Sequence, residues 1–173
     1  MLTAILAMAQ SPVRFYENAK VGYKDQSGKV IIPAQYVAGS DFSDGLALVI
    51  VKNKRGFIDA SGTVIVPFEY DDASVFKNGI ARVMKNGMYG FINKSNAIVI
   101  DFKFDVAYDF NDGYARVKQN NKWTFIDNSG KSMSTVYDDA NDFSEGLASV
   151  KLNGKWGFID TNGKLADRKS TRL

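Results

Sequence analysis

Histidine and cysteine are both missing from this chain of 173 residues. Their absence removes at one stroke the commonest general base, the thiol nucleophile, disulfide bonds and the most frequent transition-metal ligands. Proline is scarce, at three residues, and the one uncharged apolar stretch, Met1 to Ala9, is far shorter than the roughly 20 residues that span a bilayer as a helix. Charge of a single sign is lacking too. Arg168, Lys169 and Arg172 against Asp167 place +2 of the formal +3 in the last seven residues, and the remainder is near neutral with its signs interspersed. Such a surface gives no support to nucleic-acid binding or to a polybasic membrane contact, despite a pI near 9.0. What is present is apolar surface: 45% hydrophobic and 13% aromatic residues, enough to form a core and to argue against disorder.

The two ends read differently from the middle. In residues 1–9, Ala7-Met8-Ala9 before Gln10 has the small-x-small pattern that signal peptidase cleaves after, so this stretch is expected to be the remnant of a signal peptide lacking its basic region. An exported protein, periplasmic or at the cell surface, is the expectation that follows, with a cytoplasmic one as the alternative. Residues 167–173 break the sequence pattern, and one codon string for them resembles a sequencing adapter. That segment is expected to be an artefact outside the fold.

Between the ends one segment recurs: Val21-Gly22-Tyr23-Lys24-Asp25, Arg55-Gly56-Phe57-Ile58-Asp59, Tyr89-Gly90-Phe91-Ile92-Asn93, Trp123-Thr124-Phe125-Ile126-Asp127 and Trp156-Gly157-Phe158-Ile159-Asp160. Polar turns follow each copy, as in Asp59-Ala60-Ser61-Gly62, where Asp accepts from nearby amides and Gly supplies positive φ. Then come β-branched runs closed by proline, Val30-Ile31-Ile32-Pro33 and Val64-Ile65-Val66-Pro67. The fourth copy, Lys131-Ser132-Met133-Ser134, loses the apolar run and one residue, and its strand is expected to be the weakest. A second hallmark, such as Phe76-Lys77-Asn78-Gly79-Ile80-Ala81-Arg82-Val83, places Ala and Val on one strand face and a variable residue on the other. Asn86-Gly87 and Asn153-Gly154 then mark tight hairpin turns.

The pattern predicts an all-β fold: a tandem array of antiparallel, roughly three-stranded repeats of about 34 residues, with units 21–54, 55–88, 89–122 and 123–155 and a partial unit 156–166. An open or superhelical stack is favoured because the period is short for closed four-stranded blades; a closed propeller-like or barrel-like arrangement is the alternative. With these motifs in place, the chain resembles the WG-repeat (KWG) family, whose signature Lys155-Trp156-Gly157-Phe158-Ile159-Asp160 carries in full. The resemblance implies a β-rich array common in bacterial proteins, often exported, without established catalysis and assumed to bind proteins or other ligands.

Candidate chemistry follows the recurring residues. Asp25, Asp59, Asp127 and Asp160 offer hard oxygen ligands for calcium, but lack the closely alternating acids of a dedicated loop and read better as turn residues. The pairs Asp71-Asp72 and Asp138-Asp139 suggest glycoside hydrolysis, yet a catalytic pair is unique where these repeat. No catalytic, cofactor or metal site is therefore assigned. The candidate interaction surface is the variable first position, Arg55, Tyr89, Trp123 and Trp156, which as aromatic platforms would suit a cell-wall or surface glycan. Beside it stand Arg82 and Arg116, one repeat apart, which would suit an anionic partner. The expected function is a non-enzymatic module for protein–protein interaction or scaffolding in the bacterial envelope, with carbohydrate binding as the alternative.

Overall fold

Two-residue hairpin turns set the geometry. At Asn86-Gly87 both central residues adopt positive φ (53° and 79°), the conformation whose twist matches that of the flanking strands. The same holds at Asn153-Gly154 (50° and 77°) and, without glycine, at Lys52-Asn53 and Asn120-Asn121. The computed structural model describes residues 11–166, and all regular structure in them is strand.

Five antiparallel sheets follow one another along the chain. The first holds β1 (Val13–Glu17), β2 (Lys20–Lys24) and β3 (Val30–Tyr36); the second β4 (Ala38–Gly39), β5 (Ala47–Val51), β6 (Lys54–Ile58) and β7 (Val64–Tyr70). The third holds β8 (Asp72–Ala73), β9 (Ile80–Lys85), β10 (Met88–Asn93) and β11 (Ile98–Phe104). The fourth has β12 (Val106–Ala107), β13 (Tyr114–Gln119) and β14 (Lys122–Asp127), and the fifth β15 (Asp139–Ala140), β16 (Leu147–Leu152) and β17 (Lys155–Asp160). Three of the sheets have three strands and two have four, in line with the roughly three-stranded repeat that the sequence pattern predicts. In the four-stranded sheets the extra strand, β4 or β8, is only two residues long, too short to carry a periodic signal. Because each sequence unit ends at a hairpin tip, the second to fifth sheets each take strands from two successive units, which locks neighbouring units together.

The glycine of the signature has a steric cause. β7 pairs with β6 through Arg55↔Tyr70 and Phe57↔Val66, with an irregularity across Gly56, and a Cβ on Gly56 would stand 2.7 Å from the Val66 carbonyl oxygen. At Gly90 the same atom would stand 2.8 Å from the Ile100 carbonyl oxygen. The fourth copy has Thr124 there, with its hydroxyl on the Thr135 carbonyl at 3.2 Å, and its third strand is reduced to isolated bridges at Ser132 and Tyr137. The weakened strand expected from Lys131 to Ser134 is what the structure shows: a side chain at the close-approach point and one missing residue dissolve the ladder.

Apolar residues collect into four clusters, one at each junction between successive sheets. At the second junction Phe57, Val66 and Tyr70 of one sheet meet Ala73, Phe76, Ala81, Val83 and Ile92 of the next. An aromatic pair recurs at every junction: Tyr23–Phe42, Phe57–Phe76, Phe91–Phe110 and Phe125–Phe143, with ring centroids 5.1, 4.6, 5.0 and 4.7 Å apart. Each buried ring contributes on the order of 2 kcal/mol by area alone. The recurring alanines Ala47, Ala81, Ala115 and Ala148 are buried in the junction clusters.

Candidate interaction surface

The variable first position does not form a uniform exposed row. Arg55 donates to the Asn53 carbonyl and lies 4.0 Å from Asp72, and Tyr89 Oη reaches the same Asp72 carboxylate at 3.4 Å. Trp123 is held between Tyr108, 6.0 Å away, and the cations of Arg116 and Lys118, at 4.9 and 5.5 Å from its ring. Only Trp156, on the fifth sheet, is open to solvent, at 48% exposure.

Arg82 and Arg116 are not free to meet an anionic partner. Their side chains are 19% and 11% exposed, and each reaches across a junction. Arg116 donates to the Ala140 carbonyl and, at 3.0 Å, to Asp142. Arg82 donates to the Ala107 carbonyl at 2.8 Å and lies 3.7 Å from Asp109. A third member escaped the sequence reading: Arg14 donates to the Gly39 carbonyl at 2.8 Å and to Asp41 at 2.7 Å. The guanidinium of one sheet therefore clamps the short strand of the next and the carboxylate two residues beyond. Where the row has Leu48 instead, the partner position holds Val75, and Leu48 packs against the apolar junction cluster. This exchange of Arg with Asp for Leu with Val, 26 or 27 residues apart, was visible in the sequence as a spacing between copies.

The recurring acids go to turns and junctions. Asp59 Oδ1 accepts from the Ser61 hydroxyl (2.6 Å) and from the amides of Ser61 and Thr63 (2.9 and 3.0 Å); Asp25 and Asp127 repeat this arrangement. The serine hydroxyl first, with the backbone amides, holds these three carboxyls below the usual carboxylate range. Asp160 is lowered chiefly by the Lys164 amide. The adjacent pairs do not converge: Asp71 joins Lys54 to the Asn86 amide across a junction, whereas Asp72 faces Arg82 and Tyr89. Asp138 likewise joins Lys122 to the Gly154 amide. Among the described residues no group of three or more acids is gathered as for a metal ion. Asp44 and Asp112 accept from the Gly79 and Gly146 amides of the following sheet, at 2.6 and 3.1 Å.

The fifth sheet breaks the rule. Phe158 occupies the position of Phe57, Phe91 and Phe125, which are fully buried, yet it is 51% exposed, with no ring over it among the described residues. A cavity of about 430 Å³, which Phe158 does not line, is bounded by Tyr137, Val150, Gly157, Ile159 and Leu165.

Successive meanders of three or four strands stacked through apolar faces define a propeller-like β-repeat protein. The chain belongs to the WG-containing repeat family, which matches residues 22–54, 56–89, 89–123 and 123–156. No curated protein matches it in sequence. Among solved structures it is similar to Hsv2 of Kluyveromyces lactis (TM-score 0.54, 11% identity, 92% of this chain and 60% of that one). It is also similar to a eukaryotic initiation factor (TM-score 0.58, 11% identity, 91% of this chain and 51% of that one). These neighbours are propeller-like, and the chain spans between about half and three fifths of their length. At such low identity the likeness is one of fold alone. The family and the fold fit a repeat module for interaction.

Proposed function

We propose that this protein is a non-enzymatic repeat module for protein–protein interaction or scaffolding, exported to the bacterial cell envelope. The observation that carries the reading is the commitment of the recurring groups. The aromatics pair across junctions, the arginines clamp neighbouring sheets, and the carboxylates close turns, so the repeat invests its chemistry in a rigid frame. A frame of this kind presents its variable positions to a partner, and Trp156 and Phe158 are both exposed on β17. The export reading rests on Ala7-Met8-Ala9 alone. The carbohydrate reading draws on the same exposed Trp156, and has less support because Arg55, Tyr89 and Trp123 are half-buried.

Two measurements test this. In-cell crosslinking from Trp156 is expected to capture a defined protein, and fractionation to find the chain outside the cytoplasm. Saturable binding to a glycan array that Trp156→Ala abolishes, with no protein captured, would replace this reading by the carbohydrate one.

A further inference from the structure

The third junction, between the third and fourth sheets, is held differently from its neighbours. Two polar links recur between sheets. One is the arginine clamp, whose Nε lies 2.7 Å from Asp41 at the first junction and 3.0 Å from Asp142 at the fourth. The other is a carboxylate on the glycine amide of the next repeat, Asp44 to Gly79 at 2.6 Å and Asp112 to Gly146 at 3.1 Å. At the third junction both are open. Asp109 stands 3.7 Å from Arg82 Nε, beyond hydrogen-bond reach, and that Nε is the one buried side-chain polar atom without a partner among the described residues. Asn78 holds the place of Asp44 and Asp112 with the same backbone turn (φ 53° against 52° and 49°), yet its carboxamide makes no bond to the Gly113 amide.

A cavity of about 180 Å³ lies where the two links are missing, lined by Asn78, Arg82, Asp109 and Gly113. That is far above the ~10–15 Å³ that one water needs and below the ~300 Å³ at which pockets for drug-sized molecules begin, so it has room for a single small ring. Its charges cancel, with Lys77 and Arg82 set against Asp109 and Asp112. The two carboxylates oppose an anion and the two cationic groups oppose a cation. The carboxamides of Asn78, Asn111 and Asn128 add both donors and acceptors to the wall. Ile80 and Phe110, half-buried on the junction cluster, give it an apolar floor.

We infer that the third junction binds one neutral sugar ring, whose adjacent hydroxyls close the two links that the chain leaves open. A hydroxyl donates and accepts at once, which neither a carboxylate nor an ammonium ion does. As the half-exposed Asp109 side chain turns, one hydroxyl accepts from Arg82 Nε–H and donates to the Asp109 carboxylate. Its neighbour on the ring accepts from the Gly113 amide, as Asp44 does from Gly79 and Asp112 from Gly146. The C–H face of the ring rests on Ile80 and Phe110. This site is separate from Trp156 and goes beyond the interaction-module reading.

The test is calorimetric titration of the full chain with D-glucose, D-galactose, D-mannose and N-acetyl-D-glucosamine. Saturable binding of at least one of them is expected, with a Kd of about 1 mM or below. Asn78→Asp restores the carboxylate–amide link of the second and fourth junctions, and is expected to melt no lower than the unmodified chain yet bind at least tenfold more weakly. Trp156→Ala is expected to bind unchanged. Absence of binding by all four sugars up to about 10 mM overturns the inference, as does binding that Asn78→Asp leaves undiminished or Trp156→Ala abolishes. Tighter binding of D-glucuronate than of D-glucose would assign the cavity to an anion and also overturn it. Protein capture at Trp156 without sugar binding would leave the module reading standing while this site falls.

Discussion

Gly56 and Gly90 owe their identity to a backbone oxygen less than 3 Å from where a Cβ would sit, and in neither case is it a positive φ. Replacing Gly90 by Ala forces β11 off β10, and overpacking of this kind is expected to destabilise by about 1–3 kcal/mol in a denaturant titration. At the turn carboxylates, acid is the probe. Asp25, Asp59, Asp127 and Asp160 all have folded values below the unperturbed 3.8. A depressed carboxyl contributes stability that is complete above its unfolded value and lost as the pH falls through the lower folded one. The melting temperature is therefore expected to hold down to about pH 4 and to fall below it, and Asp59→Asn is expected to flatten that fall. These turns were legible in the sequence, because an Asx turn is made by residues within four positions of one another. The arginine row shows in the sequence only as a spacing of 26 or 27 residues between copies, since its partners lie a whole sheet away.

Among the sheets, the junction is the unit of stability. The second junction already contains a natural replacement of the Arg–Asp clamp by Leu48 and Val75, which predicts the outcome of an exchange at the fourth. Arg116→Leu alone leaves Asp142 without its partner and is expected to lower stability by about 2 kcal/mol. Adding Asp142→Val is expected to recover most of that loss, a coupling that a double-mutant cycle measures directly. The fourth sheet supplies the complementary case. The weakness of its third strand was expected from the polar run at Lys131 to Ser134 and the missing residue, but the part played by Thr124 at the close-approach point is intelligible only once β7 and β11 are seen lying against Gly56 and Gly90. The short strands β4, β8, β12 and β15 were invisible to pattern reading for a simpler reason: two residues have no period.

Taken whole, the array is quasi-one-dimensional, and among the described residues the first and the fifth sheet each pack against one neighbour. The same substitution should then have different effects along the chain. Phe125→Ala opens a cavity in a junction and is expected to cost about 3–5 kcal/mol. Phe158→Ala, at the equivalent position of the fifth sheet, is expected to change stability by less than about 1 kcal/mol, as at other exposed sites. Chemical denaturation of the two variants side by side checks the pair. Equal losses would mean that Phe158 is covered in solution.

The sequence by itself determined the all-β class, the period, the turns and the membership of one repeat family, because strand alternation, Asn-Gly hairpins and Asx turns are local and are written several times over. Tertiary structure decided which copies of a residue are used and which are left over. Phe57, Phe91, Phe125 and Phe158 are the same residue in the same motif, and three are buried while one faces solvent. Burial belongs to the neighbouring sheet, so the fate of each copy is set across a junction between units.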